Sequence, residues 1–205
     1  PPLRERPQDV LALAEHFSGL PFNVAEENIQ ARIRGMLLMA MSNKFGNILL
    51  NTTNKSEMAV GYGTLYGDMC GGISVLGDVY KTEVYALARY LNTLPMGSPQ
   101  KKGEGAIPEN SIVKPPSAEL RPNQKDSDSL PDYDILDRVL YQYIECRQGP
   151  RELVQMGFDE ALVARILCLV NINEFKREQA APVLRVSRKG LGMGRRMPIV
   201  GKYLS

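Results

Sequence analysis

NVAEENIQARIRGMLLMAMSNKFGNILLNTTNKSE, residues 23–57, contains a helical pattern, a short apolar run and a polar segment in that order. Apolar and small side chains recur at helical spacing in the first part, which predicts a helix over 24–44. Asn23 can cap its first turn together with Glu26, and Gly46 supplies a stop. A helix followed by a strand and a polar loop is half of an α/β unit, so these residues indicate an α/β fold.

Two short apolar runs predict the strands of this fold. The run at 47–51 has the composition of a buried parallel strand, and the run at 73–76 follows a glycine-rich loop. Helical spacing returns over 81–91. Because parallel α/β sheets bind ligands at the carboxyl ends of their strands, we expect the polar segment 52–57 to lie at a functional site.

Composition limits the classes of protein to which the chain can belong. Its 205 residues are 43% hydrophobic, which suits one domain, and 25 basic side chains nearly balance 23 acidic ones, which does not indicate nucleic-acid binding. No apolar run approaches the roughly 20 residues of a membrane span, so we expect a cytoplasmic protein. His16 is the only histidine and the cysteines stand apart, which disfavours zinc sites, disulfide frameworks and histidine-dependent nucleophilic catalysis.

Two local features each have two interpretations. The segment TTNKSE offers hydroxyls, Lys55 and Glu57, which suit phosphate and Mg²⁺, but a polar turn that caps the next helix explains the same residues. Lys81 stands at a predicted helix start, where the helix dipole disfavours a cation. Either an anion such as phosphate lies nearby, or this lysine is exposed and has no role.

Five longer motifs resemble consecutive motifs of the NAD synthetase family. They are ENIQARIRG, NTTNKSEMAVGYGTLYGDMCGG, DVYKTEVYALARYLN, KPPSAELRPNQKDSDSLPDYDILD and EFKREQAAP. They occur in the family's order across 23–203, and the resemblance is closest to the glutamine-dependent form. It implies an α/β fold of the adenine nucleotide alpha-hydrolase-like (Rossmann-like) type, with a parallel sheet, helices on both faces and an incomplete amino-terminal part.

The resemblance also implies a reaction and its partners. NAD synthetases use ATP to activate the nicotinate carboxylate of deamido-NAD as an acyl-adenylate, which ammonia then converts to the amide of NAD. The resemblance therefore implies ATP and Mg²⁺ as cofactors, deamido-NAD and ammonia as substrates, a glutaminase domain or subunit as a candidate partner, and a homo-oligomer. Neither nucleic acid nor a membrane is expected as a partner.

By motif position, the resemblance assigns eight residues to the site and gives none of them a catalytic role. ATP contacts fall on Thr52, Lys81 and Ser117. Deamido-NAD contacts fall on Asn28, Arg32, Glu57, Asp68 and Lys176, and Glu57 is also the metal ligand.

The chain departs from the family pattern in two places. The S-G-G-x-D-S loop, whose backbone amides hold pyrophosphate and whose aspartate shares Mg²⁺, is missing, and so is a glutaminase domain. The amino-terminal residues do not continue the pattern, so we predict an atypical segment at 1–22 and a partial synthetase domain at 23–205. We expect weak ATP binding and impaired turnover from such a chain.

Two other functions are compatible with the sequence. The chain could be a non-catalytic nucleotide-binding or dimerisation remnant, because Met36, Met39 and Met41 on the first helix suit a subunit interface. It could also be another adenylating enzyme that amidates a different carboxylate, although the run KPPSAELRPNQKDSDSLP favours the NAD synthetases.

Overall fold

The computed structural model describes residue 13 and the ranges 16–94, 106–192 and 194–201. The predicted segment 1–22 lies largely outside the described residues, so its structure stays a prediction. The helices are α1 (Val24–Phe45), α2 (Lys55–Val60), α3 (Lys81–Thr93), α4 (Glu109–Val113), α5 (Tyr133–Ile144), α6 (Pro150–Gln155), α7 (Glu160–Ile172) and α8 (Glu174–Arg177), with a 3₁₀ turn at Asp126–Asp128.

Helix α1 begins and ends where its capping residues predict. The Asn23 side chain accepts a hydrogen bond from the backbone N–H of Ala25 at 2.8 Å, and the Glu26 carboxylate accepts one from the N–H of Asn23 at 2.9 Å. Gly46 ends the helix in the left-handed conformation with a φ of 70°. The predicted helix is therefore confirmed, together with both of its caps.

The sheet of the described residues contains two short parallel strands, β1 (Leu50–Asn51) and β2 (Ile73–Ser74). Both strands lie within the predicted apolar runs, and the α/β class is confirmed. The prediction that 47–51 forms a buried strand is wrong in one respect. Asn51 is buried, but Leu50 remains 50% exposed, because successive side chains alternate between two faces and only one face is covered here.

The hydrophobic core lies among α2, α5 and α7. Leu136 and Leu140 of α5, together with Ile166 and Val170 of α7, are completely buried and belong to one cluster. Helix α2 follows the carboxyl end of β1 directly and packs on both longer helices. The core therefore fixes the polar residues that begin α2.

None of the described helices is long and apolar enough to cross a membrane.

Candidate functional site

A cleft of about 600 Å³ opens beside the carboxyl end of β1. Its walls come from the first turn of α1, from α2, from the loop 61–68, from α3 and from the segment 111–126. Six of the eight residues that the sequence assigns to the site line this cleft, namely Asn28, Glu57, Asp68, Lys81, Ser117 and Lys176. The fold therefore brings together residues that lie up to 148 positions apart in the chain.

Glu57 and Lys81 form an ion pair within the lining of the cleft. The Nζ atom of Lys81 lies 3.2 Å from Oε1 of Glu57, and the two side chains are 18% and 17% exposed. The same ammonium lies 5.5 Å from the ring centroid of Tyr133 and 5.7 Å from that of Tyr85. Lys81 is therefore held by a carboxylate and two aromatic rings, and it is not a free surface lysine.

The capping box of α2 orients Glu57. The Asn54 side chain accepts a hydrogen bond from the N–H of Glu57 at 3.0 Å, and Oε2 of Glu57 accepts one from the N–H of Asn54 at 3.1 Å. The polar turn thus caps helix α2, and Glu57 also presents its carboxylate to the cleft. The capping interpretation of TTNKSE is therefore confirmed, and the interpretation that Glu57 serves phosphate or Mg²⁺ stays a prediction.

The loop 61–68 also lines the cleft, and Lys176 supports this loop. The ammonium of Lys176 donates to the carbonyl oxygens of Gly61 at 2.7 Å and Gly63 at 2.9 Å. Burial lowers the pKa of Lys176 below the ordinary range of a lysine, although the nearby Asp68 opposes this shift. A partly desolvated ammonium in a cleft is well suited to bind an anionic ligand.

Asn28 and Asp68 meet at Thr64 on the same wall. The hydroxyl of Thr64 donates to Oδ1 of Asn28 at 2.8 Å, and the N–H of Thr64 donates to the Asp68 carboxylate. Helix α1 is thereby connected to the loop. These bonds fix both side chains at the rim of the cleft before any ligand arrives.

Two of the assigned residues do not line the cleft. Thr52 follows β1 but is exposed, and Thr53 faces the cleft instead. The guanidinium Nε of Arg32 donates to the carbonyl of Leu65 at 3.2 Å and so supports the loop from outside the cleft. Their roles toward ATP and deamido-NAD stay predictions.

Lys55 does not fit the prediction that its charge is available to a phosphate. Its side chain is fully buried, and its ammonium lies 2.9 Å from Asp78 and 2.8 Å from Glu145. It also donates to the hydroxyl of Ser187 at 2.9 Å and to the carbonyl of Lys189 at 3.0 Å. All three donors are therefore occupied by the protein, and Lys55 has a structural role.

Asp126 is a cleft residue that the sequence reasoning missed. Its carboxylate is 3% exposed and accepts hydrogen bonds from the hydroxyls of Tyr62 at 3.0 Å and Tyr133 at 2.8 Å. Burial, with the neighbouring Asp126 charge, raises the pKa of both tyrosines, so they stay protonated donors. This bond pair fastens the segment that carries Ser117 to α5 and to the loop. Tyr62 lies 64 positions from Asp126 in the chain, and no spacing rule connects residues at that distance.

The described residues contain no group of three or more His, Cys, Asp or Glu side chains able to hold a metal ion by themselves. Glu57 is the carboxylate that the sequence assigns to Mg²⁺, and it lies within the cleft. Mg²⁺ commonly takes one or two carboxylates and completes its shell with substrate phosphates and water. A single protein carboxylate is therefore compatible with a metal that arrives together with a nucleotide.

Comparisons with known proteins agree on one family. Residues 7–180 match the family model described as NAD synthase. The chain is 54% identical over 187 residues to the glutamine-dependent NAD(+) synthetase of Acinetobacter baylyi, which covers 91% of this chain and 33% of that protein. The chain thus spans about a third of the length of the curated relatives it matches.

Two solved structures have the same fold. A glutamine-dependent NAD(+) synthetase from Cytophaga hutchinsonii superposes with a TM-score of 0.69 at 24% identity, covering 95% of this chain and 32% of that chain. The NMN synthetase from Francisella tularensis gives a TM-score of 0.61 at 28% identity, covering 88% of this chain and 61% of that chain. These superpositions confirm the Rossmann-like α/β class.

Proposed function

The chain belongs to the NAD synthase family, and from this premise we propose that it serves the ATP-dependent amidation of deamido-NAD to NAD. One observation supports this most directly. The cleft of about 600 Å³ brings together the ammonium groups of Lys81 and Lys176, the Glu57 carboxylate, the Ser117 hydroxyl and the Asn28 amide. A volume of this size suits organic substrates.

The proposed reaction has two steps. The nicotinate carboxylate of deamido-NAD attacks the α-phosphorus of ATP, forming a carboxylate–phosphate bond, and pyrophosphate leaves. Ammonia then attacks the activated carbonyl carbon, the bond to the phosphate breaks, AMP leaves with the electron pair, and one proton is lost from nitrogen. Neither step requires a protein nucleophile. The protein contributes by positioning both substrates and by offsetting the phosphate charge.

The proposed roles divide between the two sides of the cleft. On the ATP side, Lys81 would leave its pairing with Glu57 and approach the phosphates, and Ser117 would contact the nucleotide. Thr52 is assigned to the same ligand from its motif. On the deamido-NAD side, Lys176 supplies a partly desolvated cation. The remaining deamido-NAD contacts are proposed for Asn28, Arg32, Glu57 and Asp68.

Mg²⁺ is the metal that we propose, with Glu57 as its protein ligand. Both oxygens of this carboxylate have partners, Lys81 and the N–H of Asn54, but a carboxylate oxygen accepts more than one bond. The metal would supply positive charge to the phosphate groups of ATP. Glu57 would orient the nucleotide toward Lys81 and limit the movement of its phosphates.

A non-catalytic role in dimerisation is the second candidate, and one observation favours it. Met36, Leu37, Met39 and Met41 of α1 are each between 39% and 57% exposed. Such a surface suits a second subunit, so we also propose a homo-oligomer. A glutaminase domain or subunit as the ammonia source and a cytoplasmic location stay predictions.

The test is an assay of NAD formation from deamido-NAD, ATP, Mg²⁺ and ammonium chloride with the 205-residue chain. Nicotinic acid mononucleotide and an unrelated carboxylate serve as alternative acceptors. We expect the chain to form NAD, whether slowly or rapidly. Lys81→Ala should abolish this activity, whereas the control Lys125→Ala, at an exposed position, should leave it unchanged. Amidation of another carboxylate in preference to deamido-NAD would contradict the proposed substrate. Absence of turnover with normal folding would favour the non-catalytic candidate.

A further inference from the structure

The amino terminus of α3 is held by side chains from two other helices. The N–H of Lys81 donates to the hydroxyl of Ser56 at 2.9 Å, and the Ser56 hydroxyl in turn donates to Oδ1 of Asp137. The N–H and the hydroxyl of Thr82 donate to Oδ2 of the same carboxylate at 2.9 Å and 2.8 Å. Asp137 of α5 thus reaches the first two N–H groups of α3, one directly and one through Ser56.

This arrangement explains how a lysine can begin a helix. The free N–H groups at a helix amino terminus carry partial positive charge, which repels a cation at the same position. The buried Asp137 carboxylate places a negative charge there. Helix α2 contributes twice, because Ser56 holds the backbone of Lys81 while the adjacent Glu57 holds its ammonium.

Asp137 keeps a titratable carboxyl group in a buried position. It is 5% exposed, and burial raises the pKa of its carboxyl even though Ser56 and Thr82 donate hydrogen bonds that lower it. The raised pKa means that the folded state disfavours the charged form relative to the unfolded chain.

We propose that Asp137 is a positioning residue that holds Lys81 against Glu57 in the cleft. Asp137 does not line the cleft and acts through Ser56 and the first turn of α3. The identity of the ligand that Lys81 then meets, the phosphates of ATP, rests on the proposed function. The position of Lys81 in the cleft does not depend on the proposed function.

The test measures the chemical reactivity of individual lysines. The native chain is labelled with limiting N-hydroxysuccinimide acetate, and peptide mass spectrometry gives the rate at each lysine. Asp137→Asn keeps the shape and the acceptor for Thr82 but removes the charge. Its matched control is Asp134→Asn, an exposed position one turn earlier on α5. The fully buried Lys55 reports global unfolding within the same sample.

We expect Asp137→Asn to raise the labelling rate of Lys81 roughly tenfold, the factor for losing about one charge-assisted hydrogen bond. Lys55 should stay unreactive, and Asp134→Asn should resemble the parent chain. Unchanged Lys81 labelling in Asp137→Asn would overturn the proposal, and so would a parallel rise at Lys55, since that result indicates a purely structural role.

Two further experiments use a second variant, Ser56→Ala, and the addition of a ligand. Ser56→Ala cuts the connection between Asp137 and Lys81 but keeps the Asp137 charge and its hydrogen bonds from Thr82, so it should release Lys81 in the same way even if Asp137→Asn fails to fold. Normal Lys81 labelling in a folded Ser56→Ala chain would also overturn the proposal. Protection of Lys81 by ATP with Mg²⁺ in the parent chain tests the proposed function separately, because release by Asp137→Asn requires no ligand.

Discussion

The Nζ atom of Lys55 lies 2.9 Å from Oδ1 of Asp78, and neither side chain has any solvent-exposed surface. Asp78 also accepts hydrogen bonds from the N–H groups of Val186 at 2.8 Å and Ser187 at 2.6 Å. Burial alone would raise the pKa of Asp78, but these bonds and Lys55 lower it overall. The pair therefore connects the start of α2, beside the cleft, to the carboxy-terminal part of the chain.

Removing one member of this pair should be strongly destabilising. Lys55→Met leaves the buried Asp78 and the partly buried Glu145 without their cation, and breaking a buried ion pair costs about 3 to 5 kcal/mol. Urea unfolding followed by circular dichroism gives the free energy of unfolding. Lys114→Met is the control, because Lys114 pairs with Glu119 on an exposed surface. Equal stability in the two variants would contradict a structural role for Lys55.

Gly61→Ala and Gly46→Ala should separate steric contact from backbone strain. Both glycines have a φ of 70°, where an alanine costs about 1 to 2 kcal/mol. A Cβ at Gly61 would lie 2.1 Å from Cγ of the buried Asn173, whereas one at Gly46 meets nothing within 4 Å. Chemical unfolding should therefore show a clearly larger loss for Gly61→Ala. Equal losses would contradict the close packing of the cleft loop on Asn173.

The hydrogen bond from Tyr62 to Asp126 should contribute measurably to stability. Tyr62→Phe leaves a buried carboxylate with one donor fewer, which costs roughly 1 to 3 kcal/mol. Tyr66→Phe removes a hydroxyl from a tyrosine that is 64% exposed and serves as the matched control. Thermal melting of both variants is the measurement. If Tyr66→Phe were as destabilising as Tyr62→Phe, burial of Asp126 would not be the cause.

Ligand affinity should depend on the charge of Lys176. Burial lowers its pKa, so the ammonium loses its proton at a pH below the value of about 10.4 for an exposed lysine. Binding of deamido-NAD should therefore weaken as the pH rises through this lowered pKa, and it should recover as the pH falls. Asp68 is the charged neighbour that opposes the shift.

The control for this pH dependence is Lys176→Arg. A guanidinium keeps its charge throughout the alkaline range, so the loss of affinity on the alkaline side should disappear in this variant. Calorimetric titration with deamido-NAD between pH 7 and pH 10 would measure both profiles. The same alkaline loss in Lys176→Arg would assign the titration to another group.

The sequence predicted features that depend on neighbouring residues better than features that depend on contacts between distant segments. The caps of α1 were readable because Asn23, Glu26 and Gly46 act over a few positions. The burial of Lys55 was not readable, since its partners Asp78 and Glu145 lie 23 and 90 positions away. Strand lengths were overestimated because the apolar runs continue beyond the two residue pairs of the ladder, Leu50 with Ile73 and Asn51 with Ser74.

The residues of the site likewise divide into those that motifs predict and those that depend on long-range contacts. Motif resemblance identified six residues that line the cleft, because family motifs carry information on tertiary position that spacing does not. Thr52 shows the limit of this reasoning at single-residue level, since strand alternation at the end of β1 directs Thr53 into the cleft. The roles of Asp126 and Asp137 depend on contacts between segments that are distant in the chain.

Calorimetric titration of the chain with deamido-NAD, followed by ATP with Mg²⁺, tests most directly whether this cleft binds deamido-NAD. Lys176→Ala is the test variant and Lys125→Ala the control, with melting curves to verify folding. We predict one binding site for deamido-NAD, with affinity reduced roughly tenfold or more in Lys176→Ala, as expected for a lost charged hydrogen bond. Absence of binding by the folded chain, or equal affinity in both variants, would contradict the assignment of this cleft to deamido-NAD.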